Sequence, residues 1–597
     1  MNRSIFPLRI PWFGTLLFIR SLFMPHLPLR SAAFSRLASR CFAAGLAALV
    51  LLPLAWSVLG AITAAWDGAA WQALLTQPQL KTALGLSLWT GLASTALAWV
   101  GAAVLLSGRW VGKVPAMLAL PHAAFAIGVA LLLAPSGWLL RLVANVWAGL
   151  GGVGLESPPD WPTTQDPWGV GLFVVLALKE MVFLLWMGLA VLQRPDFSKR
   201  LRLEMQLAQS MGYSERAAWW RVGWPQLAPR LLAPLCAVLA YSLSVVDVAL
   251  VIGPTAPPTL GVLAWQWLQD ADPSTQAQGA AAAGLLLATT FLVGALAVVL
   301  YRAVWRPWAQ RRRTRGATPL TAQEHTQALR QTPTAAWALL AVYSAVGVAL
   351  GLASVTGVWL FPALWPQSWT VDAWAAVATD GDTLWDSVWL GWASAGAATV
   401  WVLLMWELWP VPWRSSGRGV LVIALLCLPL LLPASLWAVG LHRLALDWGW
   451  DTKASGVWLA HTLGVVPYVA LALYGPLQGF DPRLRSVASS LGHHRWSFVW
   501  RVQWPLLRGA ITAAFAVGFA VSVAQYAPTL YVGAGRFSTV STQAVALSSG
   551  GQRSLMAAYA VLQWVLPALV FALAAWLGRA RRFSPPAVHP RPTAALG

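Results

Sequence analysis

Long apolar runs recur along this chain, separated by short polar stretches. Runs of spanning length fall at Phe42–Ala65, Thr82–Leu106, Val114–Pro135, Val170–Leu192, Leu231–Ile252 and Gly279–Tyr301. Six more fall at Thr334–Phe361, Trp385–Leu408, Gly419–Leu441, Gly456–Leu477, Ala510–Val532 and Ala557–Leu577. Each holds the roughly 20 apolar residues that one helical crossing of a bilayer needs. Lipid offers no partner to a free backbone amide or carbonyl, so each run is predicted to be a helix. The pattern predicts an all-α polytopic membrane protein of about 12 helices. Its predicted divisions are a basic tail over 1–41, a first half over 42–305, a linker over 306–333, a second half over 334–578 and a tail over 579–597.

Charge adds a direction. Only 10% of residues are charged, against about 25% in soluble domains. With the N-terminus placed inside, 33 of the 40 basic residues fall in inward-facing segments. The outside receives Lys81, Arg141, Arg443, Lys453, Arg536 and Arg553, and Lys179 lies within a span. An even span count with both termini cytoplasmic satisfies the positive-inside rule, and an odd count would scatter the bias. The net charge of +20 is thereby explained by topology, and nucleic acid is not an expected partner. The first 40 residues hold six arginines and no acid. They read as a retained tail, since a full-length span follows at once without a small-residue cleavage site. The linker carries Arg311, Arg312, Arg313 and Arg315, a composition suited to anionic headgroups. Cys41, Cys236 and Cys427 lie in or beside apolar runs, too far apart for a metal site or a disulfide framework. They read as small core residues.

The chain also repeats itself. Trp220-Arg221-Val222-Gly223-Trp224-Pro225 recurs as Trp500-Arg501-Val502-Gln503-Trp504-Pro505, at an offset of 280, which also relates Gly212 to Gly492 and Gly253 to Gly533. Ser87-Leu88-Trp89-Thr90-Gly91 matches Ser387-Val388-Trp389-Leu390-Gly391 at an offset of 300. Pro121 and Gly128 match Pro433 and Gly440 in the third and ninth spans. The drift in offset follows from a long loop at Ser136–Gly169 whose counterpart near His442–Ser455 is short. Matches in one order, six spans apart, indicate a parallel duplication of a six-helix half, one of the symmetries transporters use.

The repeated loops between spans four and five and between spans ten and eleven carry the most specific signal. The first reads Gln206-Leu207-Ala208-Gln209-Ser210-Met211-Gly212, then nine residues, then Val222-Gly223-Trp224-Pro225. The second reads Ser486-Val487-Ala488-Ser489-Ser490-Leu491-Gly492, then nine residues, then Val502-Gln503-Trp504-Pro505. Apolar and small residues, a Gly that permits a sharp turn and a Pro opening the next span make an elbow. A single copy also suits an amphipathic helix lying on headgroups; two copies at equivalent places favour coupling. The spacing resembles the EAA loop of binding-protein-dependent ABC importer permeases: Glu-Ala-Ala, three residues, Gly, nine residues, Ile-x-Leu-Pro. Gly, Pro and the third-position Ala are kept twice. The leading acid is replaced by Gln206 and Ser486, and the Leu before Pro by Trp224 and Trp504. The resemblance covers roughly Leu84–Tyr301 and Trp385–Leu577. It is nearest to fused, double-length permeases of the iron(III) and thiamine type, through Ser522–Leu530 and Ala544–Gly551.

What the resemblance implies is a non-catalytic transport subunit of the inner membrane. Its loops, at Gln206, Leu207, Ala208, Gly212, Val222, Trp224, Pro225, Ser486, Val487, Ala488, Gly492, Val502, Trp504 and Pro505, would dock on a separate ATP-binding subunit, itself a homodimer. A periplasmic or extracellular solute-binding protein would be the other partner. No cofactor is expected on this chain, and ATP would be used by the partner. The chain itself agrees: Gly108-Arg109-Trp110-Val111-Gly112-Lys113-Val114 lacks the spacing and the hydroxyl residue of a phosphate-binding loop. The eight histidines form no metal-ligand pattern. His122 and His461 read as polar packing groups and His493-His494 as solvated. An enzyme would need a clustered nucleophile, acid pair or metal set. The alternative is an ion-coupled secondary transporter with twelve spans, which would want several intramembrane acids and would leave the paired loops unexplained.

Four polar residues lie where they are costly, roughly 2.5–3.5 kcal/mol for a charge at mid-span: Asp247, Gln525 and the adjacent Lys179 and Glu180. Aligning Ser244-Val245-Val246-Asp247 with Ser522-Val523-Ala524-Gln525, across a two-residue gap, puts one polar side chain at equivalent height in each half. These are candidate path residues. The other reading is hydrogen bonding that only holds the bundle together. Neighbours on a helix diverge, so Lys179 and Glu180 are not expected to pair. The 40 tryptophans read first as interfacial belts, with an aromatic path as the second reading.

Overall fold

A computed structural model describes residues 32–108, 117–307, 322–408, 426–451 and 453–579. Most of both predicted tails, the centre of the linker with Arg311–Arg315, and Arg109, Lys113, Arg414 and Arg418 lie outside the described residues. So do the starts of the third and ninth predicted spans.

The main helices run α1 Ala32–Ala64, α2 Leu80–Leu106, α3 His122–Leu133, α4 Val170–Leu192, α5 Leu232–Ser244 and α6 Pro273–Leu300. They continue as α7 Ala322–Ala353, α8 Gly381–Leu408, α9 Ala434–Asp447, α10 Ala454–Gln478, α11 Trp504–Ala524 and α12 Arg553–Gly578. Among the described residues, eleven helices are long and apolar enough to cross a membrane. The remaining predicted span, Gly419–Leu441, begins outside the described residues; its described part holds a short 3-10 turn, Leu428–Leu430, and the first half of α9. The fold is all-α and polytopic.

Within each half, the second helix is the hub, packing on the fourth and fifth. Small residues on one face make this possible: Ser87, Gly91, Ser94 and Ala98 of α2 are buried, as are Ser387, Gly391, Ser394 and Ala398 of α8. A Cβ at Gly91 would meet Leu243 at 2.6 Å, and one at Gly391 would meet Phe519 at 2.6 Å. Ser87 and Ser387 then each accept a backbone N–H at 2.9 Å, from Leu260 and Val540 respectively. Close approach through small side chains supplies the dispersion and hydrogen bonding that lipid cannot outcompete.

The two halves are not separate bundles. The first helix of each lies on the third helix of the other, α1 on α9 and α7 on α3. Both crossings are set by the glycines matched in sequence. A Cβ at Gly440 would stand 1.9 Å from the Ser57 carbonyl oxygen, and one at Gly128 would stand 2.5 Å from a Val346 methyl. Trp401 Nε1 donates to the Leu46 carbonyl at 2.7 Å, tying α1 to α8 as well.

Several predicted boundaries change. Spans five and eleven are broken rather than continuous: α5 stops at Ser244 and a short helix runs Asp247–Ile252, while α11 stops at Ala524 and a short helix runs Ala527–Val532. Predicted span seven ends at Ala353, and 354–371 is a loop. The predicted long loop from Ser136 contains a helix, Trp138–Gly149. Its Arg141 is buried because its guanidinium donates to the carbonyls of Leu360 at 2.7 Å, Ala363 at 2.9 Å and Trp359 at 3.0 Å, binding that helix to the loop after α7. Cys41 is exposed and Cys236 and Cys427 half-buried, so the cysteines are not core residues.

Candidate functional site

Both repeated loops fold alike. A helix runs Pro195–Ser210 in the first and Arg483–Ser490 in the second. Each ends in a left-handed glycine, Gly212 at φ +91° and Gly492 at φ +78°. Gly212 N donates to Gln209 O at 3.0 Å and Tyr213 N to Ala208 O at 3.2 Å; Gly492 N donates to Ser489 O at 3.0 Å and His493 N to Ala488 O at 3.0 Å. This is the paired 6→1 and 5→2 closure of a Schellman cap. It explains the four-residue spacing from Ala to Gly, because the Ala carbonyl takes the longer bond. Beyond the turn, short helices Glu215–Ala218 and Arg495–Phe498 run into π-helical turns, Trp219–Gly223 and Val499–Gln503. The proline ring of Pro225 or Pro505 would strike the carbonyl four residues back in an α-helix, and the wider turn relieves that. Val222 and Val502 lie within these turns. Trp224 is buried against Trp99, ring centroids 4.8 Å apart, while Trp504 stacks edgewise on Trp500 at 4.3 Å.

Each loop helix leaves an apolar row in the open. Leu207 and Met211 are 65% and 76% exposed, and Val487 and Leu491 are 56% and 71% exposed. These pairs correspond at the 280 offset. Gln206 and Ser486 sit one step before Leu207 and Val487. His493 and His494 are exposed beside the second turn.

A cavity of about 320 Å³ lies between the halves, at the breaks in the fifth and eleventh spans. Asp247, Gln525, Lys179 and Glu180 all line it. The equivalence drawn between Asp247 and Gln525 is corrected, however. Ser244 ends α5 as Ala524 ends α11, and Asp247 opens the next short helix as Ala527 does. The offset stays at 280 through the break, so Gln525 corresponds to Val245. The backbone leaves no room for a two-residue gap, because Leu260 and Val540 are pinned at that same offset just beyond.

Lys179 and Glu180 diverge as expected. Lys179 Nζ donates to the Leu120 carbonyl and lies 5.8 Å and 5.6 Å from the ring centroids of Phe125 and Tyr343. Glu180 instead meets His122 Nε2 at 3.0 Å. The Tyr241 hydroxyl donates to Asp247 Oδ1 at 3.5 Å, the only side-chain hydrogen bond that carboxylate makes among the described residues. Gln525 Nε2 donates to the His461 carbonyl at 3.0 Å, while its Oε1 is buried without a partner. His461 is fully occupied, with Ser522 Oγ and Thr529 Oγ1 each 2.8 Å from a ring nitrogen. It locks the two sides of the second break together. Sequence reasoning missed His122 as a lining residue, and with it Tyr241, Tyr468, Tyr526 and Trp437. Position was the signal for four of them: His122 and Trp437 lie in the first turn of a span and Tyr241 and Tyr526 within a few residues of a break, while Tyr468, in the middle of α10, had none. Pro528 marks the second break in sequence, and the first has no such marker.

A bundle of helices broken at mid-span around an internal polar cavity, with paired elbows at one end, defines a polytopic permease. The chain belongs to the family of ABC transporter permeases. Residues 404–583 match the family model described as binding-protein-dependent transport system inner membrane component. The chain is 36% identical over 562 residues to the inner membrane ABC transporter permease protein YnjC of Escherichia coli K12, covering 90% of this chain and 96% of that one. It is 28% identical over 230 residues to the thiamine transport system permease protein ThiP of the same organism, 34% of this chain and 41% of that one. It is 27% identical over 106 residues to the ferric transport system permease protein FbpB of Actinobacillus pleuropneumoniae, 18% and 15% of the two chains. This kinship sets the ion-coupled alternative aside.

Proposed function

We propose that this chain forms the solute path of an ABC importer, with the cavity between its halves as the path and the paired loops as docking segments for a separate ATP-binding dimer. The observation that carries the reading is the pair of Schellman-capped loop helices, each presenting an apolar row, at one end of a bundle whose cavity lies at the breaks. An exposed row of Leu207 and Met211, or Val487 and Leu491, is the groove-filling surface an amphipathic helix offers a partner. The charge bias supports a cytoplasmic side for these loops and both termini, where ATP is, with a solute-binding protein delivering cargo to the opposite face. The two partial relatives are named for thiamine and for ferric iron, chemically unlike solutes. Kinship therefore supports the mode of transport rather than a particular solute.

Docking is tested by Leu207→Asp with Val487→Asp. A charge in the centre of each apolar contact is expected to weaken capture of the ATP-binding subunit at least about tenfold, with membrane insertion unchanged. Undiminished co-purification would sink the docking role. The path is tested separately by Asp247→Asn and Asp247→Ala. Both are expected to reduce ATP-driven uptake severalfold or more while assembly and ATPase capture hold. Unchanged uptake in Asp247→Ala would show that this carboxylate is neither a gate nor a contact.

A further inference from the structure

The second loop is attached to the end of a span through one buried carboxylate. Glu407 is the penultimate residue of α8, and it is 1% exposed. Its Oε1 accepts from Gln503 Nε2 at 2.5 Å, and its Oε2 accepts from Arg485 Nη2 at 2.9 Å. Arg495 Nη2 lies 3.7 Å from the same Oε2, and Arg485 Nη2 also reaches Gln503 Oε1 at 3.1 Å. Arg485 belongs to the loop helix, Arg495 to the short helix after the turn, and Gln503 to the π turn that opens α11. One carboxylate thus holds all three segments of the second loop to the end of one span. The Arg485 guanidinium lies 5.7 Å from the Phe498 ring centroid, which closes the cluster on its apolar side.

The repeat offsets give the corresponding positions in the first half: Ser107 for Glu407, Met205 for Arg485, Glu215 for Arg495 and Gly223 for Gln503. Met205 and Gly223 offer no side chain able to make these bonds, and Ser107 Oγ donates to the Val104 carbonyl of its own helix at 2.6 Å. There, Glu204 pairs with Arg200 at 2.8 Å and accepts from Gln226. At the position that matches Glu407, the first half carries a serine and no carboxylate.

We propose that Glu407 is a positioning residue that makes the second loop a stiff lever on α8. A displacement of the second loop must carry α8 with it, since pulling one partner from a buried, hydrogen-bonded carboxylate strands the charge. From α8 the motion reaches the cavity directly: Gly391 packs on Phe519 of α11, and Ser522 Oγ lies 3.4 Å from the Leu390 carbonyl, three residues before Gln525. This rests on the reading of the loops as ATPase-docking segments, but the strut itself is testable without a partner.

The test is hydrogen exchange on the full chain in lipid nanodiscs, comparing peptides from 483–503 with peptides from 195–223. Glu407→Ala is expected to speed exchange in the second loop at least about tenfold and to leave the first unchanged. A triple variant, Glu407→Ser, Arg485→Met and Gln503→Gly, installs first-half residues without leaving a buried orphan charge. It is also expected to speed exchange in the second loop at least about tenfold. Wild-type protection of the second loop in the triple variant overturns the strut. In the complex with the ATP-binding subunit, the triple variant should transport severalfold less solute per ATP hydrolysed. An unchanged ratio with a loosened loop overturns the lever while the docking reading stands. Failure of the wild-type chain to bind any ATPase would instead defeat the docking reading and leave the strut intact.

Discussion

Gly440→Val is expected to abolish recovery of folded protein, the largest effect of any single change at a helix crossing here. The Cβ of any other residue would stand 1.9 Å from the Ser57 carbonyl oxygen and 2.5 Å from its carbonyl carbon. Both atoms are backbone, so no rotamer change relieves the clash, and α1 must move off α9. That separation also breaks the Trp56 Nε1 bond to Asp447 at 3.1 Å and the Arg443 bond to the Gly60 carbonyl at 3.1 Å. Overpacking of a tight interface costs on the order of 3 kcal/mol even where side chains can adjust. The matching Gly128→Val meets chiefly a Val346 methyl at 2.5 Å, a group that can rotate away, and should cost less. The measurement is the yield of monodisperse protein after mild detergent extraction, with Gly440→Ala between wild type and Val. Wild-type yield of Gly440→Val would mean that the α1–α9 crossing does not hold the halves together.

The paired replacement Gly212→Val with Gly492→Val is expected to lower ATP-driven uptake at least about tenfold while insertion and yield hold. The reason differs from that at Gly440. A Cβ at either position meets nothing within 4 Å, so there is no clash. The cost is conformational: φ of +91° and +78° is disfavoured by roughly 1–2 kcal/mol for each L-residue, and more for a β-branched one. The relaxed loop loses the bonds to Ala208 and Ala488 and turns its apolar row away from the docking direction. Uptake per ATP is the measurement, beside the Ala variants. Normal uptake in the double Val variant would show that the elbows do not transmit the stroke.

Much of this was legible in the chain. Apolar runs predicted the spans, the parallel repeat predicted two similar halves, and loop spacing pointed to the glycine turns. These are local matters. A run of apolar residues must be helical in lipid, and a glycine just past the helix end, as at Gly212 and Gly492, with a proline beyond it specifies cap and turn by short-range sterics alone. The four polar residues were also found from sequence, because a charged or amide side chain in an apolar run stands out whatever its neighbours.

What lay beyond the sequence was pairing. Lipid treats all apolar faces alike, so nothing in α1 or α7 announces that each packs on the opposite half; only the fit of Gly440 to the Ser57 carbonyl, and of Gly128 to Val346, selects the partner. The break in span five carries no proline, and it exists because Leu260 and the following helix are pinned to Ser87. That pinning, invisible in a single strand of text, is why Asp247 aligned with the wrong residue. His122 and Glu180 are 58 residues apart, and Glu407 and Gln503 are 96 apart, distances over which composition says nothing of contact. The sequence determined the helices, their repetition and the turns between them. The tertiary structure decided which helices cross, where they break and which buried charges meet, because those depend on close steric fit between surfaces that the bilayer itself does not distinguish.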